Sequence, residues 1–528
     1  MRSAAPHSGP APRDPQRAAR PIIVVLGILF VLIAAVDLAG LRPLTGDEAI
    51  ILLVSEHLAE HGELGSPLHR GYHGAGEHYF LNLPLAHVLH AAVFRVAGAG
   101  IAQARAVSVA GALLLFACTT LLAWRRAGPR AAIISALLLV LWRSGLAGLV
   151  PGIPLIGSAR TARYDVLAAG FAWLALLLFD AQVRRPRART AIATGVAAAA
   201  ACLTQFHGAF VAPALVAGWI LWHPRDGTRG RHGALAATAA VALLLPYALH
   251  FAAHASDAIA QLRGVHGARM DAAPSILWNL VAEPRRWLSA LSWRRPGSLL
   301  LVAGIIPVLV VLAVQARRGA GVGVGLLLLA TAAFWLPLAL LDQTKAPLYA
   351  LPLLPAICVA FAIVLDHMLG ARDAWGSMLR GFALVLMLGV SIEGAAAIVR
   401  DLKRMPGVTP YADIVTAIDS AIPQDAGVTG AARFAWGLRA HPYAELRALS
   451  LSTRTQPLRD ALGAHGVRYV LVDADVRAAL ERPDFYGAAF VNAWNDLIER
   501  CTTLVGELDD ATWQRIEIRA ILTGCMDR

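Results

Sequence analysis

The chain has 528 residues, 57% of them hydrophobic and only 16% charged, with a mean hydropathy of +0.58. That composition excludes a single soluble domain, because several unbroken apolar runs reach the roughly 20 residues that cross a bilayer. The formal charge of +12 does not point to nucleic acid: most of the surplus sits in short turns between apolar runs, as the positive-inside rule predicts.

In chain order, residues 1–20 are rich in Pro, Ala and Arg and read as a disordered cytoplasmic N-terminus. A first crossing follows over about 21–40; its apolar part is too long for a signal peptide and no cleavage site follows it. Residues 41–100 form a first external loop. It opens with Thr45-Gly46-Asp47-Glu48 and continues as an amphipathic run from Ala49 to His61, which Gly62 ends. Thr45 followed three residues later by Glu48 is a capping box, and acids in a first turn suit the helix dipole. Capping accounts well for Glu48 and partly for Asp47. The other reading is chemical: two carboxylates placed just outside a membrane helix.

Further along the loop, His69, His73, Glu77 and His78 lie in a glycine-rich stretch. His69 and His73 would share a face on a helix, but Gly71, Gly74 and Gly76 disfavour one. A solvated loop and a set of metal ligands both remain open. The amphipathic run near 83–96 is expected at the interface.

Crossings near 102–124 and 131–150 flank a basic inner turn containing Arg125, Arg126 and Arg130. The second external loop leads through Ser158-Ala159-Arg160-Thr161-Ala162-Arg163-Tyr164-Asp165 into a crossing at about 165–183. Charges at a helix end are ordinary, yet two acids on separate external loops could face one cavity. Residues 190–222 read as two helices turning near Gln205-Phe206-His207-Gly208, and 233–253 as a further crossing. The third external loop, His254 to Gly297, carries Arg263, His266, Arg269, Arg285 and Arg286. Arginine matches phosphate oxygens in a fork; the plainer reading is a basic loop against lipid headgroups. Trp287 and Trp293 suit an interface.

Crossings near 298–315, 321–341, 348–368 and 380–399 bring the expected total to about eleven, with the N-terminus inside and the tail outside. Between two of them lies Asp342-Gln343-Thr344-Lys345-Ala346-Pro347-Leu348-Tyr349. A turn with an interfacial tyrosine would explain it, but Lys345 and Lys403 are the only lysines in the chain. From about 400 the composition is that of a soluble domain. Val467–Asp473 reads as a strand, and Tyr411–Ile422 and Asp475–Arg482 as helices. Cys118, Cys202 and Cys358 fall in apolar helices, whereas Cys501 and Cys525 could pair if the tail is extracytoplasmic. The expected architecture is therefore a mainly α, polytopic membrane helix bundle over 21–399, followed by a small α/β extracytoplasmic domain over 400–528.

Three stretches carry a family resemblance. Gly46-Asp47-Glu48-Ala49, with Ser55-Glu56-His57-Leu58-Ala59-Glu60-His61-Gly62 after it, resembles the first external loop of the GT-C glycosyltransferases. These are polytopic enzymes that use polyprenyl-phosphate sugars; the bacterial relatives of protein O-mannosyltransferases and of the lipid A aminoarabinose transferase are the groups in view. Arg160 to Asp165 resembles the family's pattern of an Arg and an acid opening a helix. Lys345-x-x-x-Tyr349-x-x-Pro352-x-x-Pro355 resembles a stretch that lies near the bound lipid phosphate. The resemblance runs from about residue 45 to 355 and leaves the tail uncovered. The chain departs from the aminoarabinose transferases at Phe80-Leu81-Asn82-Leu83-Pro84-Leu85, where they carry an acidic-Lys-Pro-Pro segment.

The resemblance implies a glycosyltransferase of the bacterial cytoplasmic membrane. It would move a hexose or pentose from a polyprenyl-phosphate donor to a glycan, lipid or protein acceptor on the outer face, with inversion. Asp47 would be the general base, and Asp165 would orient it or help bind a metal. Lys345, with Arg160 or Arg163, would neutralise the phosphate, Tyr349 would donate a hydrogen bond, and Glu48 would bind substrate. Some relatives bind a divalent metal ion near the first loop, which makes Glu77, His73 and His78 candidate ligands. The competing reading is a transporter or lipid flippase, marked by charges within helices. Asp37, Arg143 and Glu393 are its candidates, without the paired broken helices that would support it.

Overall fold

A computed structural model describes residues 15–40, 42–142, 155–224, 227–264, 276–291, 321–342, 345–370, 374–454, 456–481 and 486–526. The crossing expected near 298–315 lies outside these residues, as do Arg143, His266, Arg269 and Trp293. Among the described residues, seven helices are long and apolar enough to cross a membrane: 16–35, 101–127, 164–184, 228–253, 324–341, 348–370 and an apolar stretch beginning at 376. Shorter apolar helices occupy 84–97, 129–141, 188–204 and 206–222.

Helix α1 (Pro15–Ala35) leads to α2 (Gly46–His61) and α3 (Pro84–Ala97), the two helices of the first loop. The capping box forms at α2, and Gly62 ends the helix in the left-handed conformation with φ 77°, which glycine adopts without penalty. The bundle continues with α4 (Ile101–Ala127), α5 (Pro129–Leu141), the short α6 (Leu155–Ala159), α7 (Tyr164–Arg184), α8 (Ala188–Thr204), α9 (Val211–Trp222) and α10 (Thr228–Ala253). Then come α11 (Ala255–Leu262), α12 (Ile276–Leu291), α13 (Gly321–Leu341), α14 (Leu354–Gly370) and α15 (Ala374–Arg404).

One apolar cluster, from Phe30 through Phe116, Trp173 and Phe334 to Phe361, fills the bundle. Small residues let helices approach closely. A Cβ built at Gly170 on α7 would lie 2.9 Å from the Gly111 carbonyl oxygen of α4. By contrast, Val24, Val25, Leu245, Leu249, Leu384 and Leu388 face outward, as a lipid-contacting surface requires. The chain is thus a mainly α, polytopic membrane protein with a small C-terminal sheet unit.

That unit carries a five-stranded sheet of order β2-β1-β3-β5-β4, built from β1 (Gly427–Gly430), β2 (Tyr443–Glu445), β3 (Val467–Val472), β4 (Thr502–Asp510) and β5 (Gln514–Ile521). β1 runs parallel to β2 and β3; β5 is antiparallel to β3 and β4. Cys501 and Cys525 are disulfide-bonded, with 5.6 Å between their Cα atoms. Tyr411, Phe434 and Trp513 belong to one buried cluster with Leu44, Ala49 and Leu52, so the sheet unit packs directly on α2. Glu56 of α2 accepts a hydrogen bond from the Trp436 indole at 3.0 Å and pairs with Arg439.

Candidate active site

The site is built where α2, the start of α7, the turn between α8 and α9, and the segment after α13 come together. Arg163 precedes α7. Its backbone is anchored to α4: the Arg163 N–H donates to the Ser108 hydroxyl at 3.0 Å, and that hydroxyl donates to the Arg163 carbonyl at 3.3 Å. The guanidinium is buried and binds two acids at once. Its Nε donates to Asp165 Oδ2 at 2.8 Å, and its Nη1 bonds Asp47 Oδ2. Asp165 is buried and Asp47 is 52% exposed in its side chain. Two carboxylates held by one arginine leave a net negative edge, and Asp47 is the member open to a substrate. Asp165 Oδ1 is buried with no hydrogen-bond partner.

Behind this triad lies a narrow cleft lined by Asp165, Ala168, Gln205, His207, Leu348, Tyr349 and Pro352. The 3-10 segment Pro347–Leu353 is tied to α7 by the Trp173 indole, which donates to the Pro352 carbonyl at 2.7 Å. Tyr349 packs on the His207 ring at 4.5 Å between centroids, and lies within electrostatic reach of Arg163.

A second charged group flanks the cleft. Lys345 Nζ donates to Glu283 Oε2 at 3.1 Å and to the Ala339 carbonyl at 2.8 Å. Arg286 is fully buried; it bonds Glu283 at 3.0 Å, Asp342 at 2.8 Å and the Leu338 carbonyl at 3.2 Å. The last carbonyls of a helix lack intrahelical partners, so these two cations also cap α13. His207 stands between the groups, within electrostatic reach of Asp165 and Arg163 and of Asp342 and Arg286. Asp165 and the Leu348–Pro352 segment line the cleft, and Asp47 is joined to it through Arg163.

Two residues expected on substrate are engaged elsewhere. Glu48 is fully buried: it receives Arg105 Nε at 2.8 Å and Nη2 at 3.0 Å, the Ala162 N–H at 2.8 Å and the Thr45 N–H at 3.0 Å. With both oxygens occupied, Glu48 holds α2 against α4 and the residue before Arg163. Arg160 bonds Asp401 at 2.8 Å, near the end of α15, and so ties the segment before α7 to that helix. Among the described residues of the basic third loop, Arg263 and Arg285 are exposed and Arg286 lies within electrostatic reach of His207.

The histidines of the first loop take other partners. His69 is buried against the Ser66 hydroxyl at 2.8 Å, and burial pushes its imidazole down to about 4. His78 stacks on His254 at 3.6 Å, His73 packs on Tyr72 at 4.8 Å, and both their carbonyls accept from the Gln261 amide. Glu77 is exposed. Among the described residues no three His, Cys, Asp or Glu side chains are arranged to hold a metal ion, so Glu77, His73 and His78 do not present a ligand set.

Arg105, Glu283 and His207 were not singled out from sequence. An arginine within a long apolar helix is a readable signal, since such a charge needs a partner; the other two carried none.

In its fold the chain is similar to the GT-C glycosyltransferases. No protein-family model matches the sequence, and no curated protein does. Among solved structures, the chain is similar to ArnT from Cupriavidus metallidurans bound to undecaprenyl phosphate, at 18% identity and a TM-score of 0.62, covering 95% of this chain and 98% of that one. It is also similar to the oligosaccharyltransferase AglB from Archaeoglobus fulgidus in complex with an inhibitory peptide and a dolichol-phosphate, at 14% identity and a TM-score of 0.56, covering 95% and 74%. At these identities the likeness defines the fold.

Proposed function

We propose that the protein is a membrane glycosyltransferase that moves a sugar from a polyprenyl-phosphate donor to a hydroxyl acceptor on a glycan, lipid or protein. The observation that carries this reading is the Asp47–Arg163–Asp165 triad beside a cleft lined by both polar and apolar side chains. Such a cleft suits an amphiphile with an anionic head. The solved neighbours that share the fold contain undecaprenyl phosphate in one case and a dolichol-phosphate in the other.

In the proposed reaction the acceptor oxygen attacks the anomeric carbon. Its bond to that carbon forms as the carbon–oxygen bond to phosphate breaks, and the electron pair leaves on the polyprenyl phosphate. Asp47 takes the acceptor proton, and a one-step displacement inverts the sugar. Arg163 fixes Asp47 and, with Tyr349, meets charge that develops on the phosphate. Lys345 and Arg286, paired with Glu283 and Asp342, form a charge-balanced group that braces the segment carrying Tyr349. The disulfide of the sheet unit supports an oxidising, extracytoplasmic location for it, on the same side as Asp47, since the unit packs on α2.

The test is transfer of radiolabelled sugar from a defined set of polyprenyl-phosphate sugars by the purified full-length chain, wild type and Asp47→Asn. Transfer by the wild type and its loss in the variant are expected. Transfer at the wild-type rate by Asp47→Asn would remove the base, and no transfer from any donor would remove the function.

A further inference from the structure

We propose that His207 is a further substrate-binding residue, which donates a hydrogen bond to the donor's phosphate while Asp165 accepts one from the sugar. The inference rests on the glycosyltransferase reading and names which side chains grip the sugar–phosphate junction.

His207 lies in the 3-10 turn Phe206–Phe210 between α8 and α9. The turn has little freedom. A Cβ at Gly208 would lie 2.0 Å from the Ala201 carbonyl oxygen, so only glycine allows the backbone to sit that close. Gln205 caps the turn, its side chain accepting from the Phe206 N–H at 2.8 Å. The imidazole is held between Tyr349 at 4.5 Å and Phe210 at 5.7 Å. The ring is thus fixed on the cleft wall by packing rather than by hydrogen bonds.

Its Nδ1 is shielded from solvent and has no hydrogen-bond partner. A buried polar atom left unpaired is unfavourable, and such atoms call for a reason. Asp165 Oδ1 is a second buried, unpartnered atom on the same cleft. The two are chemically complementary: a carboxylate oxygen only accepts, whereas an imidazole nitrogen can donate. A ligand that satisfies both presents a hydroxyl to Asp165 and an anionic oxygen to His207. Ala168, Leu348 and Pro352 add apolar surface to the lining. As the bond to the sugar breaks, charge accumulates on the phosphate oxygen and the hydrogen bond from His207 strengthens. The contact therefore favours the leaving group over the bound donor.

The experiment uses the full-length protein in lipid nanodiscs, titrated with a short-chain polyprenyl monophosphate and, separately, with the same polyprenol lacking phosphate. His207→Ala should bind the monophosphate about 10- to 100-fold more weakly and the polyprenol as wild type does. His207→Gln, which keeps a donor, should recover part of the loss. If His207→Ala does not fold, judged by gel filtration and thermal unfolding, the Gln variant decides: binding between wild type and the phosphate-free alcohol supports the assignment, and binding equal to wild type overturns it. Wild-type affinity for the monophosphate in both variants also overturns it, with the function intact. A wild-type protein that does not discriminate monophosphate from polyprenol would instead sink the functional reading itself.

Discussion

Asp47 and Arg163 lie 116 residues apart in the chain, and the Asp47 carboxylate accepts a hydrogen bond from the Arg163 guanidinium. The pair joins the first turn of α2 to the residue that precedes α7. Arg163 is almost wholly buried while the Asp47 side chain is about half exposed, so the arginine works as a fixed post and the acid as the group that meets substrate. The neighbouring Glu48 does the opposite. It turns its carboxylate into the protein, where Arg105 takes it.

That division predicts a kinetic difference between the two acids on Arg163. Asp47→Asn should lower kcat by about 10²–10⁴, the range for loss of a general base, with donor affinity little changed. Asp165→Asn should weaken donor binding as well, because Asp165 lines the cleft. Steady-state transfer of labelled sugar, varied in donor concentration, separates the two effects. Equal effects of both variants on KM and kcat would refute the division.

Glu48→Ala should act on stability. Removing one partner of a buried pair leaves Arg105 unpaired, at a cost of about 3–5 kcal/mol. Thermal unfolding in detergent should show a clear fall in Tm for Glu48→Ala and for Arg105→Ala, with the double variant less destabilised than the sum. A rise in KM at unchanged Tm would instead restore Glu48 to the substrate.

The sheet unit should carry a pH signature. Glu445 caps the helix Leu446–Ser452, accepting from the Ala448 N–H at 2.9 Å. Burial raises its carboxyl above the ordinary 4.5, the N–H groups of Arg447 and Ala448 offset part of this, and the Asp47 charge adds to the rise. The folded state therefore keeps this proton when the unfolded chain has lost it. The contribution to stability is fully present below 4.5 and is lost as pH rises through the higher folded value. Glu445→Gln, which can still cap, should unfold at a higher temperature than wild type at pH 8 and at the same temperature at pH 4. An identical offset at both pH values would disprove the linkage.

Cys501→Ser should lower stability by about 2–4 kcal/mol, through the freedom restored to the unfolded chain. The bond closes a sequence separation of 24 residues next to the β4–β5 hairpin. Limited proteolysis should cut the variant first near residue 525, and mass spectrometry of the unreduced wild type should find the linked peptides.

Sequence alone determined the membrane character of the chain, the capping of α2 by Thr45 and Glu48, its end at Gly62, and the strand at Val467. Each of these is written in adjacent residues: apolar length, a three-residue spacing, a glycine, a run of β-branched side chains. The same local signals placed Asp47, Arg163, Asp165 and Tyr349 near helix ends. They did not say which acid would face inward, because that depends on Arg105 arriving from α4, 57 residues from Glu48. Nor could they mark His207, whose surroundings are set by Tyr349 and Asp165 on other elements. A buried charge is stable only beside its partner, and partners distant in the chain are brought together only by the tertiary fold.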